Sequence, residues 1–128
     1  MTHAIYASPT QDALSRMGTE TVTSIGRGLG QSVRDILATP RTEAGDVTIH
    51  GVLAVARKLD EIEAICREAR HNLIAVAGAQ MSHGDVASSV GCSTKTVSND
   101  RSRIRHITSA LPTDFTLGDD GRWYLSQD

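Results

Sequence analysis

Residues 82–105 read Ser-His-Gly-Asp-Val-Ala-Ser-Ser-Val-Gly-Cys-Ser-Thr-Lys-Thr-Val-Ser-Asn-Asp-Arg-Ser-Arg-Ile-Arg, and their spacing describes two short helices joined by a tight turn. Two helices that cross closely need a small residue at the crossing, a glycine at the turn able to take positive φ, and apolar residues that lock the second helix onto the first. Ala87 is the small residue, Gly91 stands four positions later at the turn, Val86 and Val90 face inward, and Val97 packs the second helix. Ser93 is a fitting N-cap for that helix, since a serine hydroxyl accepts from the orphan amides of the first turn. Ile104, Ile107 and Leu111 continue the stripe begun by Val97 at helical spacing.

With Asp-Val-Ala, then Gly-Cys-Ser, then Thr-Val-Ser, the segment resembles the helix-turn-helix of the lac-repressor family and of many phage and plasmid regulators. Residues 93–100 also resemble the recognition helix of winged helix-turn-helix repressors, in which an aspartate often takes the place of Asp100. Two positions depart from those patterns. Cys92 replaces a more usual valine or isoleucine, and Arg101 stands where winged repressors generally place leucine. The resemblance implies a duplex DNA-binding protein whose second helix enters the major groove.

If Val97 and Ile104 point inward, Lys95, Ser98, Asn99 and Ser102 occupy the outer face. Asn99 has the chemistry to bond adenine in bidentate fashion and Lys95 to reach guanine or phosphate, with Ser93, Thr94 and Thr96 as adaptable partners. Lys95, Arg101, Arg103 and Arg105 against Asp100 give this stretch a net charge of +3, within a chain that is −2 overall. Phosphate contacts are assigned first to Arg103 and then to Arg101 and Arg105. Asp100 is read as fixing a neighbouring group, because a carboxylate near phosphates is repelled.

After Pro112 the pattern changes to period two. Phe115 and Leu117, then Trp123 and Leu125, flank Gly118-Asp-Asp-Gly121, and an Asp-Gly between alternating apolar residues signals a hairpin. Following a recognition helix, it resembles the wing of winged helix proteins, with its apolar face closing the core. Arg122 is placed to reach phosphate or the minor groove, although Asp119 and Asp120 at the tip oppose close approach.

Towards the N-terminus, Val52, Val55, Leu59, Ile62, Cys66, Ala69, Leu73 and Val76 recur in steps of three and four, which makes one seam of a long helix over residues 52–78. Charged residues fill its other faces. Either an N-terminal helix of the same chain covers the first half of this seam, or a second copy does, and Val52, Val55, Leu59, Ile62 and Cys66 are the expected dimer seam; the two arrangements are compatible. Residues 1–21 are polar and read as a mobile arm. A secure helix is expected only over residues 30–38, because Gly26, Gly28 and Gly30 each cost about 1 kcal/mol in a helix interior. Residues 47–49 suit a short strand. The glycines of 26–30 lack the lysine-serine or lysine-threonine of a phosphate loop.

The expected fold is therefore mainly α: an arm (1–21), a helical dimerisation or interaction region (22–65), and a winged helix-turn-helix with a C-terminal β-hairpin (66–128). The charge of −2 excludes coating of nucleic acid by bulk electrostatics, so any such site is local. Cys66 and Cys92 are the only cysteines, with neither a CxxC nor ligand-spaced histidines, so reduced thiols and no metal or other cofactor are expected. No stretch approaches the ~20 apolar residues of a membrane span, and a cytoplasmic location is expected. His3, His50, His71, His83 and His106 are scattered and no serine sits in a nucleophile elbow, so no enzyme activity is expected. The reading that follows is a small transcriptional repressor, a homodimer on a palindromic site in double-stranded DNA. The alternatives are a DNA-binding accessory factor for phage packaging, replication or plasmid partition, or a protein-interaction adaptor on the same fold.

Overall fold

The computed structural model describes residues 9–104, 115–119 and 123–125. The chain is mainly helical, in the order α1 (Pro9–Leu37), α2 (Ile49–Gly78), α3 (His83–Val90), α4 (Thr94–Arg103), then β1 (Phe115–Leu117) and β2 (Trp123–Leu125). Strands β1 and β2 pair antiparallel with Thr116 opposite Tyr124.

Helix α1 corrects two expectations. Residues 9–21, read as part of a mobile arm, form its first half, and the helix runs on through Gly26, Gly28 and Gly30. Residues 1–8 lie outside the described residues. Tertiary packing supplies the physical reason. Ala13, Leu14, Met17 and Thr21 are all buried, and their spacing puts them on one face. That face packs with Ala75 and Val76 of α2, with Ala79, the residue that caps α2, with Ile104, and with Leu117 of β1. Burying a Leu or Met side chain contributes roughly 1.5–3 kcal/mol, which offsets the glycine penalties further along.

Helix α2 begins three residues earlier than its apolar seam, because Thr48 caps it and accepts from the Gly51 amide at 3.0 Å. Residues 47–49 form no strand: Val47 makes only an isolated bridge to Arg41, and Ile49 already starts the helix. The boundaries drawn at residues 21 and 65 fall inside α1 and α2, both of them continuous helices.

A second core lies on another side of α2, where Ile74 meets Val86 and Ala87 of α3 and Val97 of α4. Its closeness requires Gly78, where an added Cβ would lie 2.9 Å from Val97 Cγ1. Val97 is 0% exposed and has no space to retreat. Gly78→Ala is therefore expected to destabilise by about 1–2 kcal/mol, the overpacking strain exceeding the better helix propensity of alanine. A lower urea midpoint at unchanged slope is the expected measurement, and an equal or higher midpoint contradicts it.

Candidate nucleic-acid interface

The α3–α4 pair is built from local signals that all agree. Ser82 caps α3 by accepting from the Asp85 amide at 3.1 Å, and Ser93 caps α4 by accepting from the Thr96 amide at 3.1 Å. Between them Gly91 is left-handed (φ 78°, ψ 42°), a conformation that glycine adopts without the Cβ clash of other residues. The Gly91 and Cys92 amides both donate to the Ala87 carbonyl, at 2.9 and 3.1 Å, closing the turn.

On α4 and its caps Ser93 and Ile104, Val97, Asp100 and Ile104 are buried, whereas Ser93, Thr94, Lys95, Ser98, Asn99 and Ser102 are exposed and Thr96 is half-buried. Thr96 is held at the cap, its hydroxyl 3.0 Å from that of Ser93. Ser102 Oγ donates to the Ser98 carbonyl at 3.0 Å, leaving the Lys95 and Asn99 side chains projecting from the outer face.

Two polar links join the inner side of α4 to α2. The Nδ1 of His71 lies 2.8 Å from Asp100 Oδ1 and 2.9 Å from Oδ2, and the Asp100 side chain is only 5% exposed. Arg103 forms an ion pair with Glu68. Arg103, read from the sequence as a phosphate contact, is engaged with α2. Arg101 is half-buried beside Gly78, with Nη1 buried and without a hydrogen-bond partner among the described residues. Arg105 and Arg122 lie outside the described residues. His71 and Glu68 were invisible to sequence reasoning, because separations of 29 and 35 residues carry no local period.

The expected dimer seam divides between two directions. Val55 lines a cavity with Ile36 of α1 and is half-buried, as is Ile62, seven residues on. Val52 and Leu59 stay 50% and 53% exposed, and Cys66 lines an apolar groove with Ile25, Leu73, Ala77 and Val90.

Among the described residues no group of His, Cys, Asp or Glu could hold a metal ion, and no helix is long and apolar enough to cross a membrane. No family model, curated protein or solved structure matches the chain.

Proposed function

We propose that the protein is a sequence-specific duplex DNA-binding regulator, a small repressor acting as a dimer, with α3 and α4 as its helix-turn-helix and the β1–β2 hairpin as its wing. The observation that carries this reading is the division of α4. One side is buried and tied to α2 through Asp100 and Arg103, while the other presents Lys95, Ser98, Asn99 and Ser102 to solvent. A helix held rigidly from behind with polar groups in front has what major-groove readout requires. With Arg103 engaged by Glu68, Lys95 is, among the described residues, the exposed cation on the outer face of α4, beside the base-reading candidates Ser98, Asn99 and Ser102.

Selection of bound duplexes from a random library at ~50 mM salt tests the reading, because phosphate contacts are strongest at low ionic strength. Enrichment of a defined site supports it. An absence of duplex binding there refutes it and leaves a protein-interaction adaptor on the same fold.

On the selected site, Asn99→Ala is expected to relax preference at one base pair, with a loss of about 1–3 kcal/mol against the preferred sequence and little change on nonspecific duplex. Lys95→Ala should instead weaken every duplex and reduce the salt slope by about one unit if its contact is to phosphate. Equal losses on all sequences for Asn99→Ala would remove it from base readout.

A further inference from the structure

Helices α1 and α2 form an antiparallel pair whose apolar residues do not all turn inward. Along α2, Val52, Leu59, Cys66 and Leu73 recur every seven residues and make one stripe that drifts by about 20° per heptad around the helix. At about 100° per residue this line runs between the side of α2 that meets α1, through Val55 and Ala69, and the side that meets α4, through Glu68, His71 and Gly78. Val52 and Leu59 are exposed on it, whereas Cys66 and Leu73 are half-buried beside Ile25. On α1, Ile25 borders both the groove beside this line and a cavity on the other side of the pair, and Thr21 and Ser24 line only the latter. Val22, Leu29 and Val33 therefore fall on the groove side, and Val22 and Val33 are 58% and 54% exposed. On the opposite side Lys58 forms ion pairs with Asp35 and Glu61, and Ile65 is the exposed apolar residue one heptad further along.

We infer that this face is the contact between two copies of the chain, packed antiparallel about a two-fold axis that crosses α2 between Ile62 and Glu63. The line Val52–Leu59–Cys66–Leu73 is symmetric about that point. Val52 of one copy meets Leu73 of the other, and Leu59 meets Cys66. The shapes are complementary in the same sense, since the half with the most exposed side chains, Val52 and Leu59, faces the half recessed around Cys66, Leu73 and Ala77. Such a contact is isologous, as a two-fold interface must be. The face is about 32 Å long and, at two helix diameters, roughly 20 Å wide. Its projection of roughly 600 Å² corresponds to a larger accessible area, near the roughly 800 Å² per partner of a standard stable interface. A small ligand would fill the groove and leave most of this length uncovered.

The arrangement also places the reading helices. A two-fold axis lying in the interface and perpendicular to α2 keeps both copies of α4 on the same side of the dimer. Ile74, on which Val97 of α4 packs, lies about 17 Å along α2 from the axis, so the two reading heads are offset from each other by about 34 Å along the α2 direction. That is one turn of B-DNA, the spacing at which paired half-sites present successive major grooves on one face. The spacing rests on the DNA reading proposed above, whereas the pairing does not.

Cysteine trapping in the full chain tests both, in a Cys92→Ser background. Residues 59 and 66 of one chain lie about 10.5 Å apart along α2, beyond the ~7 Å Cα separation a disulfide can span, so Leu59→Cys can reach Cys66 only in a second copy. Mild oxidation at micromolar concentration is expected to double the mass of Leu59→Cys in denaturing electrophoresis, and adding Cys66→Ser should abolish the product. Trapping that persists without Cys66 means parallel pairing and overturns the arrangement. So does the absence of trapping, whether the chain sediments as a monomer or as a dimer held elsewhere. Duplexes selected by the trapped dimer should carry two half-sites with centres 10–10.5 base pairs apart. A trapped dimer that binds no duplex upholds the pairing and sinks the DNA reading; a trapped dimer selecting another spacing overturns the placement of the heads.

Discussion

Met17→Ala is expected to lower the stability of the protein by about 3 kcal/mol, a large part of the 5–15 kcal/mol typical of a domain. Met17 is 0% exposed and packed among Ala13, Leu14, Ala75 and Ile104, which come from α1, α2 and the residue closing α4. Truncation removes the transfer free energy of the thioether chain and leaves a cavity that three elements would have to collapse to fill. Its neighbours on two sides are alanines, too short to move into the space. A urea titration should show a lower midpoint, and the exposed substitution Ser15→Ala on the same helix should leave it almost unchanged. A loss under about 1 kcal/mol for Met17→Ala would mean that the first half of α1 contributes little to the fold, as a mobile arm would.

That test falls where sequence and structure diverge most. Ala13, Leu14, Met17 and Thr21 follow a helical pattern, but one member is a threonine and another an alanine, so the period is faint in a polar stretch. Three glycines just beyond it argue against a helix by propensity alone. Propensity differences of about 1 kcal/mol per residue are overridden when a face is buried, and burial is a property of the partner surface on α2. By contrast the cap at Ser93, the left-handed Gly91 and the buried Val86, Ala87 and Val97 of the α3–α4 pair were legible, since caps and turns are set by contacts within four residues. Val90, expected to face inward, is instead 41% exposed, and the Ser82 cap went unread. Helix α2 lay between these extremes. Its apolar seam was plain, yet the division into Val55, which faces α1, and Val52 and Leu59, which face solvent, depends on where α1 docks.

The outer face of α4 was likewise legible from the positions of Val97 and Ile104, while its basic residues were not. A count of arginines fixes charge and leaves direction open. Arg103 could equally have faced solvent or α2, and Glu68 on the neighbouring helix decides the matter. The orientation of the exposed row Lys95, Ser98 and Asn99 thus depends on residues of α2 that carry no resemblance to a DNA-binding motif.

His71→Ala is expected to show how strongly. The Asp100 carboxylate accepts only, so the Nδ1 that faces it must carry a proton, and His71 is the partner that compensates a side chain 95% withdrawn from solvent. Removing the imidazole leaves an uncompensated buried charge, which costs about 3 kcal/mol, whereas removing both groups leaves none. His71→Ala combined with Asp100→Ala should therefore be less destabilised than the sum of the two single variants, and the difference measures the link itself. His71 is 29% exposed, so water reaching the vacated space will reduce the single-variant loss somewhat. If the link also positions α4, His71→Ala should weaken binding to the selected duplex at a temperature where the variant remains fully folded, with Asn99 and Lys95 both intact. Additive losses in the cycle would show that His71 and Asp100 act independently, and undiminished duplex binding by the folded variant would confine the pair to stability.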